Sequence, residues 1–398
     1  MLPDTPLCNA FNKRDYKTAE ELLVKGEEIP SSVNEFDLRQ IHDQLISSKA
    51  FSILDILIER KNINTDVYEY DSFDRTIFET MFSYMPADEA CLQFLKRFLL
   101  KLDNINDEVA GYTLLSYAAQ KKAQPEIIQC LVDAGLRTDF KNNAEDSLLA
   151  QAVSINMIPE ERQLAYLDIF IQAGVDVNEP NIVQQTALHV AVERHKPHLI
   201  NKLIANGAQP NAQDNKGNSP FYYALAYAGD DTVYDMLRVA ELPDFTQTNR
   251  DQQTVLSEFM RNISGGEKSI ALLERLIDDG ADMDQTAPYY SKPLSAWDWA
   301  ADKPIEILQM LLKKTGKDVN AQDNDGNTLL HKVCAIDTNY SQEKAKELYR
   351  KVKLLLEQGA DVSITNTKDE TALQLASKDN LKTKVVELLL NAKKQKSL

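Results

Sequence analysis

Cysteine is scarce in this chain, four residues in 398, and Cys8, Cys91, Cys130 and Cys334 are too scattered to form a disulfide framework at this length. Long apolar runs are missing too, since none approaches the ~18 residues a membrane helix needs. The opening segment, MLPDTPLCNAFNKRDYK, has no basic region followed by an apolar one, so it does not read as a secretory signal. Basic clusters are nearly absent. The exception is KKQK at 393–396, which reads as a solvated, frayed tail more readily than as a targeting or binding signal. Lys and Arg number 44 against 61 Asp and Glu, a formal charge of −17. That balance argues against nucleic acid, whose phosphates are bound mainly by clustered Lys and Arg. The expectation is a soluble protein made in a cytoplasm, with no nucleic acid or membrane partner.

What is present is an ordinary folded composition, 43% hydrophobic and 26% charged. The length exceeds what one compact core supports, so several domains or an elongated repeat array are expected. One eight-residue stretch occurs almost unchanged twice: NAQDNKGN at 211–218 and NAQDNDGN at 320–327. Asn, Asp and Gly in this density make a tight turn. Each copy follows an apolar helix, HLINKLIANGAQP or IEILQMLLKKTGKDV, whose Leu and Ile recur at three- and four-residue spacing. Gly207 and Gly316 stand where such helices need a left-handed C-cap. Each copy precedes another short helix, opened by Ser219 or Thr328 as N-cap.

The unit is therefore turn, short helix, short helix, turn. Its starts are placed at Thr5, near Gln40, at Thr76, Thr113, Ser147, Thr186, Ser219 and Thr254, near Ser295, and at Thr328 and Thr371. Several gaps agree: 147 minus 113 is 34, 219 minus 186 is 33, and 254 minus 219 is 35. A period in the thirties means a solenoid, in which no repeat buries its apolar face alone. Three gaps are long and carry SINMIPEERQ, MRNISGGEKS with QTAPYYSKP, and DTNYSQEKAKELYRK; these insertions are expected in loops. Helices around 11–24 and 381–392 are expected to cap the stack.

The stretch TALHVAVERHKPHLINKLIANGAQPNAQDNKGNSP at 186–220 resembles an ankyrin repeat almost end to end. TLLHKVC at 328–334 and TALQLAS at 371–377 are similar to the family's first-helix signature; AGVDVN, DGADMD and QGADVS resemble its second-helix exit. The resemblance is strong over 105–398 and degenerate over 1–104, which divides the chain into a degenerate N-terminal part and a regular array. It implies an all-α solenoid of roughly ten or eleven helix-turn-helix repeats with β-turn fingers.

No enzyme motif survives inspection. His189 and His331 have no nucleophile at triad spacing, and the resemblance implies a brace near the start of each first helix. HKPH at 195–198, and His331 with Cys334, supply two ligands each where zinc wants three or four. SGGEKS at 264–269 lacks the spacing of a phosphate loop and follows no buried strand. The expectation is no catalytic residue, no metal and no cofactor.

What remains is surface. The resemblance implies a concave face built from finger tips and first helices, which holds a protein or peptide partner. On that basis the partner-binding candidates are Tyr112, Lys121, Ile182, Arg194, Asn215, Lys216, Tyr223, Tyr227, Arg250, Asp251, Tyr289, Tyr290, Trp299, Asn324 and Asp325. Tyr and Trp are favoured anchors because they bring large area with few rotors. Trp297, beside the buried Leu position of its signature, reads as core instead. The negative charge favours a partner with a basic surface and a monomeric chain. Two alternatives stay open: an ankyrin-type effector delivered to a host cell, and an enzyme whose site lies in the degenerate third. YEYDSFDRTIFETMF supplies titratable groups there without the spacing of a motif.

Overall fold

The computed structural model describes residues 2–290 and 292–396, apart from the side chains at 227, 228 and 396. The described residues form eleven successive helix pairs and one small hairpin. Packing divides them into two compact units, one ending at Gln209 and one beginning at Pro210. The first unit stacks six pairs, from Pro6–Asn12 with Tyr16–Val24 to Ala187–Glu193 with Pro197–Ala205. The second stacks five, ending in Ala372–Ala376 with Thr383–Lys396. Within each unit first helices pack on first helices and second on second, as a solenoid requires.

The sequence explains each start. The hydroxyls of Thr5, Thr76, Ser147, Ser219 and Thr254 accept from the free amides of the first turn, at 3.1–3.3 Å. Apolar positions then face the neighbouring pair. Leu188, Leu199, Ile200 and Leu203 are fully covered, and each such side chain contributes ~1.5–3 kcal/mol relative to exposure.

Three expectations need correction. The second repeat starts at Asn34, not near Gln40; Asn34 Oδ1 accepts from Asp37 N at 2.8 Å, and Glu35–Ser47 runs through Gln40. The N-terminal capping helix opens at Tyr16, after an Asp15 cap, not at Phe11. Two insertions lengthen second helices instead of loops. Gln342–Glu357 absorbs most of DTNYSQEKAKELYRK, because Ser341 caps a run of strong helix formers. Glu160–Gln172 absorbs the end of SINMIPEERQ, opening after Pro159 with Glu160 and Glu161 in its first turn. The segment QTAPYYSKP is a hairpin, with Ala287–Tyr289 antiparallel to Lys292–Leu294.

The duplicated octet works as a clamp on the next repeat. Asn211 donates to Leu242 O at 2.9 Å and accepts from Asp244 N at 3.0 Å. Asn320 bonds Gly359 O and Asp361 N in the same way, at 3.1 and 2.7 Å. The amide of Gln213 bridges its own finger to Thr248 O at 3.1 Å, and Gln322 reaches Thr365 O at 2.9 Å. Gly217 and Gly326 have φ of +78° and +74°. A Cβ at Gly217 would stand 2.7 Å from Asn249 Cα, and one at Gly326 2.9 Å from Thr367 N. Glycine is therefore needed at both places for close approach as well as for handedness.

Candidate functional site

Six of the fingers are short turns, each held by one side chain. Five residues before the cap stands Asn142, Asn181, Asp214, Asn249, Asp323 or Asn366. Its Oδ1 accepts from the backbone N–H groups two and four residues on, at 2.8–3.1 Å. Such a bond mimics a backbone turn and tolerates left-handed φ. Two residues before the cap the chain is left-handed in each of these fingers, at Glu145, Gln184, Gly217, Gln252, Gly326 and Asp369. The recurring Asn or Asp was visible in the sequence as a fixed offset from the cap Ser or Thr.

Three pairs of neighbouring fingers are joined by one backbone rung. Ile182 N donates to Ala144 O at 3.0 Å, Arg250 N to Lys216 O at 2.8 Å, and Thr367 N to Asp325 O at 2.9 Å. The histidines brace the helix starts as the resemblance implied. The backbone N–H groups of Thr186 and Thr328 donate to Nδ1 of His189 and His331 at 3.1 and 3.2 Å. With Nδ1 accepting, Nε2 of His331 carries the proton and donates to Glu370 O at 3.1 Å. Burial lowers the His331 pKa below the usual imidazole range, which suits a neutral structural ring.

The candidate residues fall into three groups. Ile182, Lys216, Arg250, Asp251, Tyr290, Asn324 and Asp325 stand exposed at finger tips, with Asn215 half-buried beside Lys216. Others are tied down. Lys121 bonds Asp74 and Glu79 at 2.8 and 3.1 Å, and Arg39 adds to Glu79 at 3.2 Å. The Lys121 ammonium, then the Tyr117 hydroxyl, hold the Asp74 carboxyl below its usual range. Arg194 donates to Ser154 O and Asn156 Oδ1, both at 3.1 Å. Tyr223 donates to Asp214 Oδ2 at 2.7 Å and so supports its own finger. Tyr112 is half-buried, edge-on to Tyr117. The Tyr227 side chain lies outside the described residues.

The third group is an aromatic cluster. Tyr289 meets Tyr290 and Trp299 edge to face, both at 4.8 Å between centroids. Tyr290 is 92% exposed at the hairpin tip, while Trp299 is half-buried on Ala296–Asp302. Trp297 lies in the core at 3% exposure, as expected, with the Lys317 ammonium 5.7 Å from its ring centre. In the preceding repeat, on Val255–Asn262, burial holds the Glu258 carboxyl above its usual range, an effect that Arg261 at 2.9 Å offsets in part.

In the N-terminal third several titratable side chains are engaged with one another. Asp74, Glu79, Arg39 and Lys121 pair with one another, and Tyr70 donates to Asn64 O at 2.7 Å. Among the described residues no group of three or more His, Cys, Asp or Glu side chains is arranged to hold a metal ion, and no helix is long and apolar enough to cross a membrane.

A family model described as ankyrin repeats (3 copies) matches residues 297–397, and one described as ankyrin repeats (many copies) matches 171–224. The chain is similar to the mouse (Mus musculus) B-cell lymphoma 3 protein homolog, 24% identical over 210 residues that cover 53% of this chain and 44% of that one. It is also similar to human (Homo sapiens) neurogenic locus notch homolog protein 2, 28% identical over 49% of this chain and 7% of that one. The chain thus spans less than half the length of these curated relatives. Among solved structures, the ankyrin repeat domain of Bcl-3 aligns with a TM-score of 0.48 at 25% identity, covering 62% of this chain and 98% of that one. Residues 171–224 and 297–397 thus match ankyrin-repeat models, and the capped helix pairs and turn-closed fingers found along the described residues have the form of ankyrin repeats.

Proposed function

We propose that the chain is a noncovalent scaffold that holds a protein or peptide partner on its finger and first-helix face, and that it is not an enzyme. The observation that carries this reading is the aromatic hairpin. Tyr290 exposes 92% of its surface at the end of a paired strand, edge to face with Tyr289, whose ring in turn meets Trp299 edge to face. A large, pre-oriented and exposed ring is what an interface anchor needs, since little rotamer entropy is left to lose. Asp251, Asn324 and Asp325 at the adjoining tips add hydrogen-bonding and negative charge. With a net charge of −17, the chain attracts a basic partner, and the association rate falls as salt rises.

The test is affinity capture with the full chain and with Tyr289→Ala/Tyr290→Ala, identifying what each retains. The double variant is expected to lose its specific partners, at ~2 kcal/mol or more for a central anchor, while its melting temperature stays near that of the parent. A large melting shift with unchanged capture would make both tyrosines part of the core and remove the proposed anchor.

A further inference from the structure

The rung between neighbouring fingers follows one rule in each place it forms: the N–H four residues before a cap donates to the C=O three residues before the preceding cap. Applied to Ser147 and Thr113, the rule joins the Asn143 N–H to the Ala110 C=O. Among the described residues that bond is not made. The finger before Thr113 is built differently. Val109 and Tyr112 exchange both backbone bonds, at 2.8 and 3.1 Å, around Ala110 and Gly111. Both of these have positive φ, +50° and +84°, the geometry of a two-residue type I′ hairpin.

Among the described residues the corresponding bond from Asn215 N to Val183 O is not made either, but beside Ala110 and Asn143 the gap adjoins a groove of about 590 Å³, lined by both fingers and by the turns after two first helices. Gln120, Asn143, Ile155, Asn156 and Met157 are among its walls. Its charges are already engaged. Lys122 Nζ donates to Met157 O at 3.1 Å, and Asp146 accepts from Asn142 and Asn181 at 3.1 and 2.9 Å. Gln120 and Asn143 are exposed, and so is Met157, at 92%.

We infer that this groove takes an extended, uncharged stretch of polypeptide whose main chain bonds the Asn143 N–H and the Ala110 C=O, supplying the rung that the two fingers do not make. Strand addition of this kind draws affinity from main-chain bonds and selectivity from side-chain contacts. A helical ligand has no free main-chain groups to offer. The one ammonium and one carboxylate of its lining are held by neutral partners and cancel in charge, so the groove offers a charged ligand no net attraction to offset desolvation. The Gln120 and Asn143 amides suit peptide N–H and C=O groups, and Met157 adapts to an apolar side chain. The site lies in the first unit and needs nothing from the aromatic hairpin.

The experiment is selection of terminally capped random hexapeptides against the full chain. Enriched peptides are expected to be uncharged and to bind Tyr289→Ala/Tyr290→Ala unchanged. Binding should weaken about tenfold when alternate peptide nitrogens are methylated, the loss of one main-chain hydrogen bond. It should weaken at least as much in Ser154→Trp and in Gln120→Trp, which fill the groove; Gln120 is exposed, so the second variant keeps its fold. The inference is overturned if no peptide is enriched over the filled variants. It is equally overturned if the enriched peptides are charged, tolerate methylation, or depend on the two tyrosines.

Discussion

Gly217→Ala should destabilise the second unit by about 2–4 kcal/mol, read as a fall in the urea midpoint at constant slope. Two effects add. At φ +78° any side chain is strained by ~1 kcal/mol or more. The new Cβ would also stand 2.7 Å from Asn249 Cα and 3.1 Å from Thr248 O, both of them backbone, so the next finger must move. That movement strains the Arg250-to-Lys216 rung and the Gln213 bridge to Thr248 O. Gln184→Ala is the matched control. Gln184 occupies the same place in its finger with φ +61°, already carries a Cβ and is exposed. Its replacement should stay within ~0.5 kcal/mol. Equal losses at the two positions would show that neither left-handed strain nor close approach selects glycine in the duplicated octet.

A second large effect is expected from acid. His42 lies in Glu35–Ser47 at 5% exposure, and among the described residues neither ring nitrogen has a hydrogen-bond partner. Burial pulls its pKa down from 6.5 to about 4. Between those values the unfolded chain binds a proton that the folded chain refuses, so stability falls as pH drops through this window. At 1.36 kcal/mol per pH unit the loss reaches about 3 kcal/mol by pH 4. His42→Leu should erase that loss, and it should also raise stability at pH 7 by ~1–3 kcal/mol, because two unpaired buried nitrogens are replaced by apolar surface. The measurement is the stability difference between parent and variant across pH 7 to 4, in which other titrating groups cancel. A difference that does not change with pH would mean that His42 is protonated or hydrated in the folded chain.

The repeat starts were legible wherever a hydroxyl stood before an apolar helix, as at Thr113, Ser147 and Thr254, because capping is local chemistry. The second repeat was misplaced for the same reason. Asn34 caps as well as Thr does, yet it carries no ankyrin signature after it, and the spacing alone pointed to Gln40. The helical part of DTNYSQEKAKELYRK was hidden by its position between repeats, although Ser341 and the residues after it state a helix plainly. The aromatic hairpin was legible as a pair of tyrosines near prolines, but the edge-to-face contact of Tyr289 with Trp299 depends on a fold that joins positions ten apart. Lys121, Arg194 and Tyr223 read as free surface from sequence; their partners Asp74, Ser154 and Asp214 come from neighbouring turns that no local pattern links to them. The groove beside Asn143 was illegible altogether, since it consists of a bond that is not made.

The asparagine clamps all point one way along the chain. Asn106 waits for the amide of Arg137, Asn178 for Gly207 and Gln209, Asn211 for Leu242 and Asp244, and Asn320 for Gly359 and Asp361. During synthesis each repeat therefore leaves the ribosome with its exit loop unfastened, and only the arrival of its successor closes it. Ordering of the nascent polypeptide trails translation by one full repeat, and a pause just beyond Asn320 would hold the ninth pair docked on its predecessor but open on its leading side.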